Sequence, residues 1–328
     1  MTINQNGLFV EPGKGNSYYV GQELYTFKAI GEETGGAYAF FELIVAPGGG
    51  SPLHRHSEEN EAFYVQEGEV EFQLDDRILV ARAGTFIHSP KGQLHRITNT
   101  TSVPAKMLGW GMPAGIEKFI AEVGKTVNGQ ITSAPPLSSE DVDKILSTAP
   151  KYDCEIIPLI DLKTTMTINQ NGLFVEPGQG PSYYMGQDFY TFKAIGEETG
   201  GTYMLAEVVF APGGGVPLHG HSEENESFYV QEGEIEFQLD DRILVARAGT
   251  FVYSPKGQLH RLTNTTSVPA KMLGWVMPPG IEKFVLEIGK TVNGQITSAP
   301  PLSSENLDKM LSTAPKYDRE IIPSFPEQ

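Results

Sequence analysis

The chain holds seven histidines, and six of them fall into two sets with the same spacing. Residues 54–68 read HRHSEENEAFYVQEG, and residues 219–233 read HGHSEENESFYVQEG. Side chains two apart in a β-strand share a face. His54 and His56 therefore present two imidazoles to one point, as do His219 and His221. SEEN is a polar turn, and Glu61 and Glu226 open the next strand, where a carboxylate can face the same point. Downstream, GTFIHSPKGQLHRITN places Pro90 and Gly92 in a turn before His95, and a neighbouring strand would bring His95 back to the pair. His260 is its counterpart. Three imidazoles and one carboxylate leave positions open on a six-coordinate first-row ion, and open positions separate a catalytic metal site from a closed structural one. The expected ligand sets are His54, His56, Glu61 and His95, and His219, His221, Glu226 and His260. Each would hold one divalent transition metal, with nickel, manganese, iron, cobalt, copper and zinc all admissible.

The remaining residues near these sets have simpler readings. His88, the seventh histidine, aligns with Tyr253 and so is a pocket or structural residue rather than a ligand. Glu58 and Glu59 are expected to face water from the turn. Cys154 aligns with Arg319 and is assigned no role.

The elements that must position these groups are written twice. MTINQNGLFVEPG opens the chain and recurs at Met166, and the offset of 165 holds to the end. Residues 1–163 and 166–328 differ at 33 positions, so about four in five are identical. A period this long marks a duplicated domain, not a solenoid, and the expected domains are 1–163 and 166–328. Within a repeat the apolar periodicity is mostly two. Residues 23–30, 37–45, 61–66, 69–74, 78–82, 95–99 and 105–110 read as short strands punctuated by turn residues, which suggests a sandwich or barrel. AGIEKFIAEVG at 114–124 has a helical period closed by glycine, and Ser138 or Ser139 could cap a second helix over roughly 139–147.

A net charge of −17 repels phosphate backbones and anionic lipid, so neither nucleic acid nor a membrane is an expected partner. One cysteine excludes an intrachain disulfide. The N-terminal stretch lacks the basic and apolar regions of a signal peptide. A soluble cytoplasmic protein is expected.

At this point the residues resemble a family. PGGG followed by HRHSEENEAFYVQEG is similar to the first cupin motif, and GTFIHSPKGQLHRITN to the second, with Gly84, Pro90, Gly92, His95 and Asn99 in place. Gly249, Pro255, Gly257, His260 and Asn264 match equally. The resemblance implies an all-β bicupin: two tandem jelly-roll β-barrels with short C-terminal helices, each holding one metal on the four residues named above. A narrower resemblance, carried by the frame from the early strands through the PAGIEKF helix, is to the quercetinase-type cupins, which are flavonol dioxygenases. It implies that Glu61 and Glu226 touch the metal and accept the proton of a substrate hydroxyl. Burial in a dry barrel is expected to raise the pKa of such a glutamate and suit it as a base.

The expected activity is a metal-dependent dioxygenation of an aromatic or enolic small molecule, with O2 as co-substrate and a flavonol such as quercetin as the model. The alternatives are a metal-dependent isomerase or hydrolase of a small polar substrate, and a non-enzymatic binding cupin. Phe63 and Phe228 share a strand face with the glutamates and are pocket candidates, as are His88 and Tyr253. Residues 37–45 read AYAFFELIV in one repeat and TYMLAEVVF in the other, differing at seven of nine positions. Two differently shaped pockets follow. The halves are expected to pair with each other as a pseudo-dimer, and further oligomerisation is open.

Overall fold

A computed structural model describes residues 7–127, 137–157, 172–292 and 304–322. The chain divides into two compact units, one running from Lys14 to Gly178 and the other from Gln179 onward with the segment ending at Gly13. Each unit pairs an eight-stranded with a five-stranded antiparallel sheet. This is the all-β, doubled jelly roll anticipated from the motifs.

In the first unit the larger sheet runs Lys125–Thr126, Asn16–Val20, Glu23–Ala29, Ala39–Val45, Ala105–Met112, Asn60–Glu67, Phe86–Ser89 and Leu173–Val175. The smaller runs Cys154–Ile156, His54–His56, His95–Thr98, Glu69–Leu74 and Arg77–Arg82. Glu69–Leu74 shows why the pattern folds this way: Val70, Phe72 and Leu74 are fully buried, while the glutamates and glutamine between them are partly exposed. Phe41, Leu43, Phe63, Phe72, Ile97 and Met107 fill the space between the two sheets.

The second unit repeats the arrangement, with Phe228, Phe237, Leu262 and Met272 in the core. In both units an edge strand comes from the other repeat of the sequence. Leu173–Val175 pairs with Phe86–Ser89, and Leu8–Val10 pairs with Phe251–Ser254. The compact units therefore differ from the sequence repeats by these exchanged ends.

Two helices follow each barrel. Ile116–Val123 turns Ile116, Phe119 and Ile120 towards the barrel interior. Ser139–Thr148 starts at Ser138, whose side chain accepts from the Asp141 amide in a capping box. Among the described residues no helix is long and apolar enough to cross a membrane.

Candidate metal centres

Two strands of the smaller sheet and one of the larger position the four side chains of each centre, with His221 just past the end of its strand. In the first unit His54 stands directly across the ladder from His95, and Cys154 from His56. Gly50 lets the chain enter this strand. Its φ is +139°, and a Cβ there would collide with the Ile97 carbonyl. Glu61 approaches from the opposing sheet, paired with Ser89. His54, His56, Glu61 and His95 bring their ligand atoms within 4.8 Å of one another, and so do His219, His221, Glu226 and His260.

The chemistry of the donors fits a metal ion. The Nδ1 atoms of His54 and His219 bond the carbonyls of Pro52 and Pro217 at 2.8 and 2.9 Å. His95 Nδ1 bonds Gln93 O at 3.0 Å, His260 Nδ1 bonds Gln258 O at 3.1 Å, and His221 Nδ1 bonds Glu224 O at 2.8 Å. A proton held on Nδ1 by a carbonyl leaves the Nε2 lone pair for the ion. His56 Nε2 and His221 Nε2 are buried without a hydrogen-bond partner. Burial, reinforced by the neighbouring imidazoles, holds His54 and His219 well below the usual histidine range, so both stay neutral, as ligands must.

The carboxylates behave differently from the sequence expectation. Burial does push Glu61 and Glu226 upward, but the charge and hydrogen bonds of the histidines outweigh it and hold both carboxyls well below the usual range. Arg319 adds to this at Glu226. Glu61 concentrates its contacts on one oxygen: Oε2 lies 2.6 Å from His95 Nε2, 3.6 Å from His56 Nε2 and 3.9 Å from His54 Nε2. Glu226 divides them, with Oε2 3.1 Å from His260 and Oε1 3.3 Å from His221.

Phe63 and Phe228 line cavities at the two centres. His88 and Tyr253 do not. On Phe86–Ser89, Ser89 turns inward to meet His95 Nδ1 at 3.1 Å and Ile87 joins the core. His88, between them, points to the other face of the sheet, where burial lowers its pKa to about 4. Tyr253 likewise donates to Asn225 Oδ1 at 3.2 Å.

Three site positions escaped the sequence reading. Glu59 does not face water: it is half-buried with Oε1 shut from solvent, it lines the first cavity, and burial pushes its carboxyl well up. Glu23 also lines that cavity. Its Oε2 accepts from Tyr25 at 3.0 Å, its Oε1 is buried without a partner, and burial raises it to about 7. Cys154 lines the first cavity as a thiol pushed up to about 12 by burial. Its counterpart Arg319 bonds Glu224 and Glu226 in the second unit. A cysteine facing an arginine, in repeats this similar, was the available signal.

The first cavity measures about 400 Å3 and is walled mainly by apolar side chains such as Phe41, Phe63, Ile97 and Phe119. Among its described lining residues there is no lysine or arginine.

Comparison with known proteins agrees with this architecture. The cupin-domain family model matches residues 41–111 and again 206–276. Quercetin 2,3-dioxygenase of Bacillus subtilis is 22% identical over 320 residues, covering 94% of each chain. Among solved structures, the Mn(II)-containing oxalate decarboxylase of Bacillus subtilis superposes with a TM-score of 0.55 at 18% identity, covering 85% of this chain and 78% of the other. Procruciferin, an 11S globulin of Brassica napus, does so at 0.56 and 11%, covering 83% and 84%. At these identities the structural likenesses speak for the fold alone.

Proposed function

The chain is a bicupin with a metal site in each domain, and from that premise we propose that it is a metal-dependent dioxygenase of an aromatic or enolic small molecule bearing an acidic hydroxyl. A flavonol such as quercetin is the model substrate. The observation that carries this is the first cavity. Its 400 Å3 lies within the usual range for small-molecule sites, about 300–1,000 Å3. Aromatic and aliphatic walls suit a planar aromatic body. A lining with no lysine or arginine among its described residues leaves a dianion such as oxalate without a counter-charge beyond the centre itself. The likeness to quercetin 2,3-dioxygenase along nearly the whole chain supports the same choice.

His54, His56, Glu61 and His95 would hold the ion, which supplies Lewis acidity towards a substrate oxygen and so lowers the pKa of its hydroxyl. Glu61 accepts the hydroxyl proton. Phe41 and Phe63 hold the ring and keep water from the deprotonated, enolate-like substrate, whose electron-rich carbon would meet O2. Glu23 and Tyr25 stand in the same cavity as a second pair able to hold a proton.

The test is incubation of metal-loaded protein with a flavonol in air and under argon, following the flavonol absorbance and oxygen uptake. Bleaching with stoichiometric O2 consumption is expected in air only. Turnover under argon would point instead to an isomerase or hydrolase, and tight binding without turnover in any metal form to a binding protein.

A further inference from the structure

The two centres share their ligands but not their access. In the first unit one continuous cavity runs from a rim at Gly21, Gln22 and Gly48–Pro52 down to His54, His56 and Glu61. In the second unit the corresponding space is cut in two. An outer cleft of about 590 Å3 is lined by Gly186, Gln187 and Gly213–Pro217, and none of the four ligand residues is among its described lining. An inner chamber of about 60 Å3 contains His219, Glu226 and Arg319. A cavity of about 150 Å3 binds one benzene ring, and the inner chamber is less than half that size.

The wall between cleft and chamber includes two residues that outgrow their counterparts. Met185 and Val216 border both spaces and replace Val20 and Ser51, while Met310, which also borders both, replaces Ile145 at similar volume. Arg319 replaces Cys154 and is 4% exposed. Its Nη2 donates to Glu224 Oε2 at 2.6 Å, and Nη1 and Nη2 both lie 3.2 Å from Glu226 Oε1. Phe41 becomes Ala206, which moves in the opposite sense, yet the chamber remains small. In the first cavity the matching polar atoms are not satisfied internally: Glu23 Oε1 and Glu59 Oε1 are buried without partners. In the second unit Asp188 is taken up by the amides of Gly215 and Ala211, and Glu224 by Arg319.

We propose that the chain carries one working site and one sealed site. The first unit receives the organic ligand at its metal centre. The second holds its ion as a closed, structural centre, with Arg319 standing where a ligand would sit. This rests on the metal reading above but not on the identity of the substrate.

The test counts ions and ligands separately. Protein loaded with Co(II) is analysed for metal and titrated under argon with 4-nitrocatechol, a one-ring hydroxyl ligand whose absorbance reports binding to the ion. Two cobalt ions and one 4-nitrocatechol per chain are expected. The triple variant R319C/M185V/V216S, which returns the enlarged wall residues to their counterparts in the first unit, should bind two. C154R should retain both ions and bind none, and the triple variant decides the matter if C154R fails to fold. Two equivalents bound by the unaltered chain, none bound by it, or one bound by a triple variant holding both ions overturns the proposal. Fewer than two cobalt ions in the unaltered chain is a different failure, that of the metal sites themselves.

Discussion

Glu23 offers a measurable consequence of how the first barrel treats charge. It is 5% exposed, with one oxygen bonded to Tyr25 and the other facing no donor. Burial is the main cause of its rise from 4.5 to about 7, the Tyr25 hydrogen bond opposes the rise, and the charge of Glu61 adds to it. Between these values the folded unit keeps a proton that the unfolded chain has released. Stability therefore falls as pH climbs through this window. The contribution is fully present below about 4.5 and lost above about 7. At about 1.4 kcal/mol per unit the loss is about 3 kcal/mol. Glu23→Gln keeps the shape and an acceptor for the Tyr25 hydroxyl but cannot ionise.

The chain has two tryptophans, Trp110 and Trp275, one in each unit, so a Trp275→Phe background leaves fluorescence reporting the first unit. Urea unfolding of metal-free protein should show Glu23→Gln gaining about 3 kcal/mol on its parent between about pH 4.5 and about pH 8.5. An equal difference at both pH values, or a gain at the acidic end, would refute the claim that this carboxyl is desolvated in the fold.

Three further outcomes are expected. Glu61→Gln removes the proton acceptor as well as a ligand oxygen, so flavonol turnover should drop by roughly 10²–10⁴, with metal analysis separating lost ion from lost base. Gly50→Ala places a Cβ against the Ile97 carbonyl at a φ that L-residues rarely adopt and should cost on the order of 1–3 kcal/mol, read as a lower melting temperature; the counterpart Gly215→Ala should do the same. A fragment of residues 1–163 lacks Leu173–Val175, the strand that covers Phe86–Ser89, but carries the identical LFV at Leu8–Val10. It should form strand-exchanged dimers, whereas residues 14–178 should be monomeric by light scattering, and a monomeric 1–163 would show that the strand can fold back on its own repeat.

The strands of the barrel were legible because alternation is a local signal. Residues 69–74 are read as a strand from the sequence and form one over the same bounds. The strands Leu8–Val10, Phe86–Ser89 and Cys154–Ile156 were not, since three or four residues hold too little periodicity to register. The exchange of Leu8–Val10 is invisible for a sharper reason. Both repeats contain the same LFV and the same acceptor strand, so nothing local says which copy pairs with which. The gathering of the histidines at each candidate centre was legible because type and spacing carry it directly.

The sealing of the second centre lies beyond that kind of signal. Arg319 is 93 residues from Glu226 and meets it only because Glu320–Ile321 pairs beside His219–Gly220. In the first repeat the same pairing delivers Cys154 to His56, so the position stands beside the candidate metal centre in both repeats. A neutral thiol there leaves a cavity. A guanidinium there fills it, and Glu224 and Glu226 make its burial tolerable, because a buried cation with two carboxylate partners is far less costly than one with none. Glu59 and Glu61 are already present in the first repeat. One substitution at position 154 would therefore find its counter-charges waiting, which is why Cys154→Arg is expected to close the first centre without unfolding it.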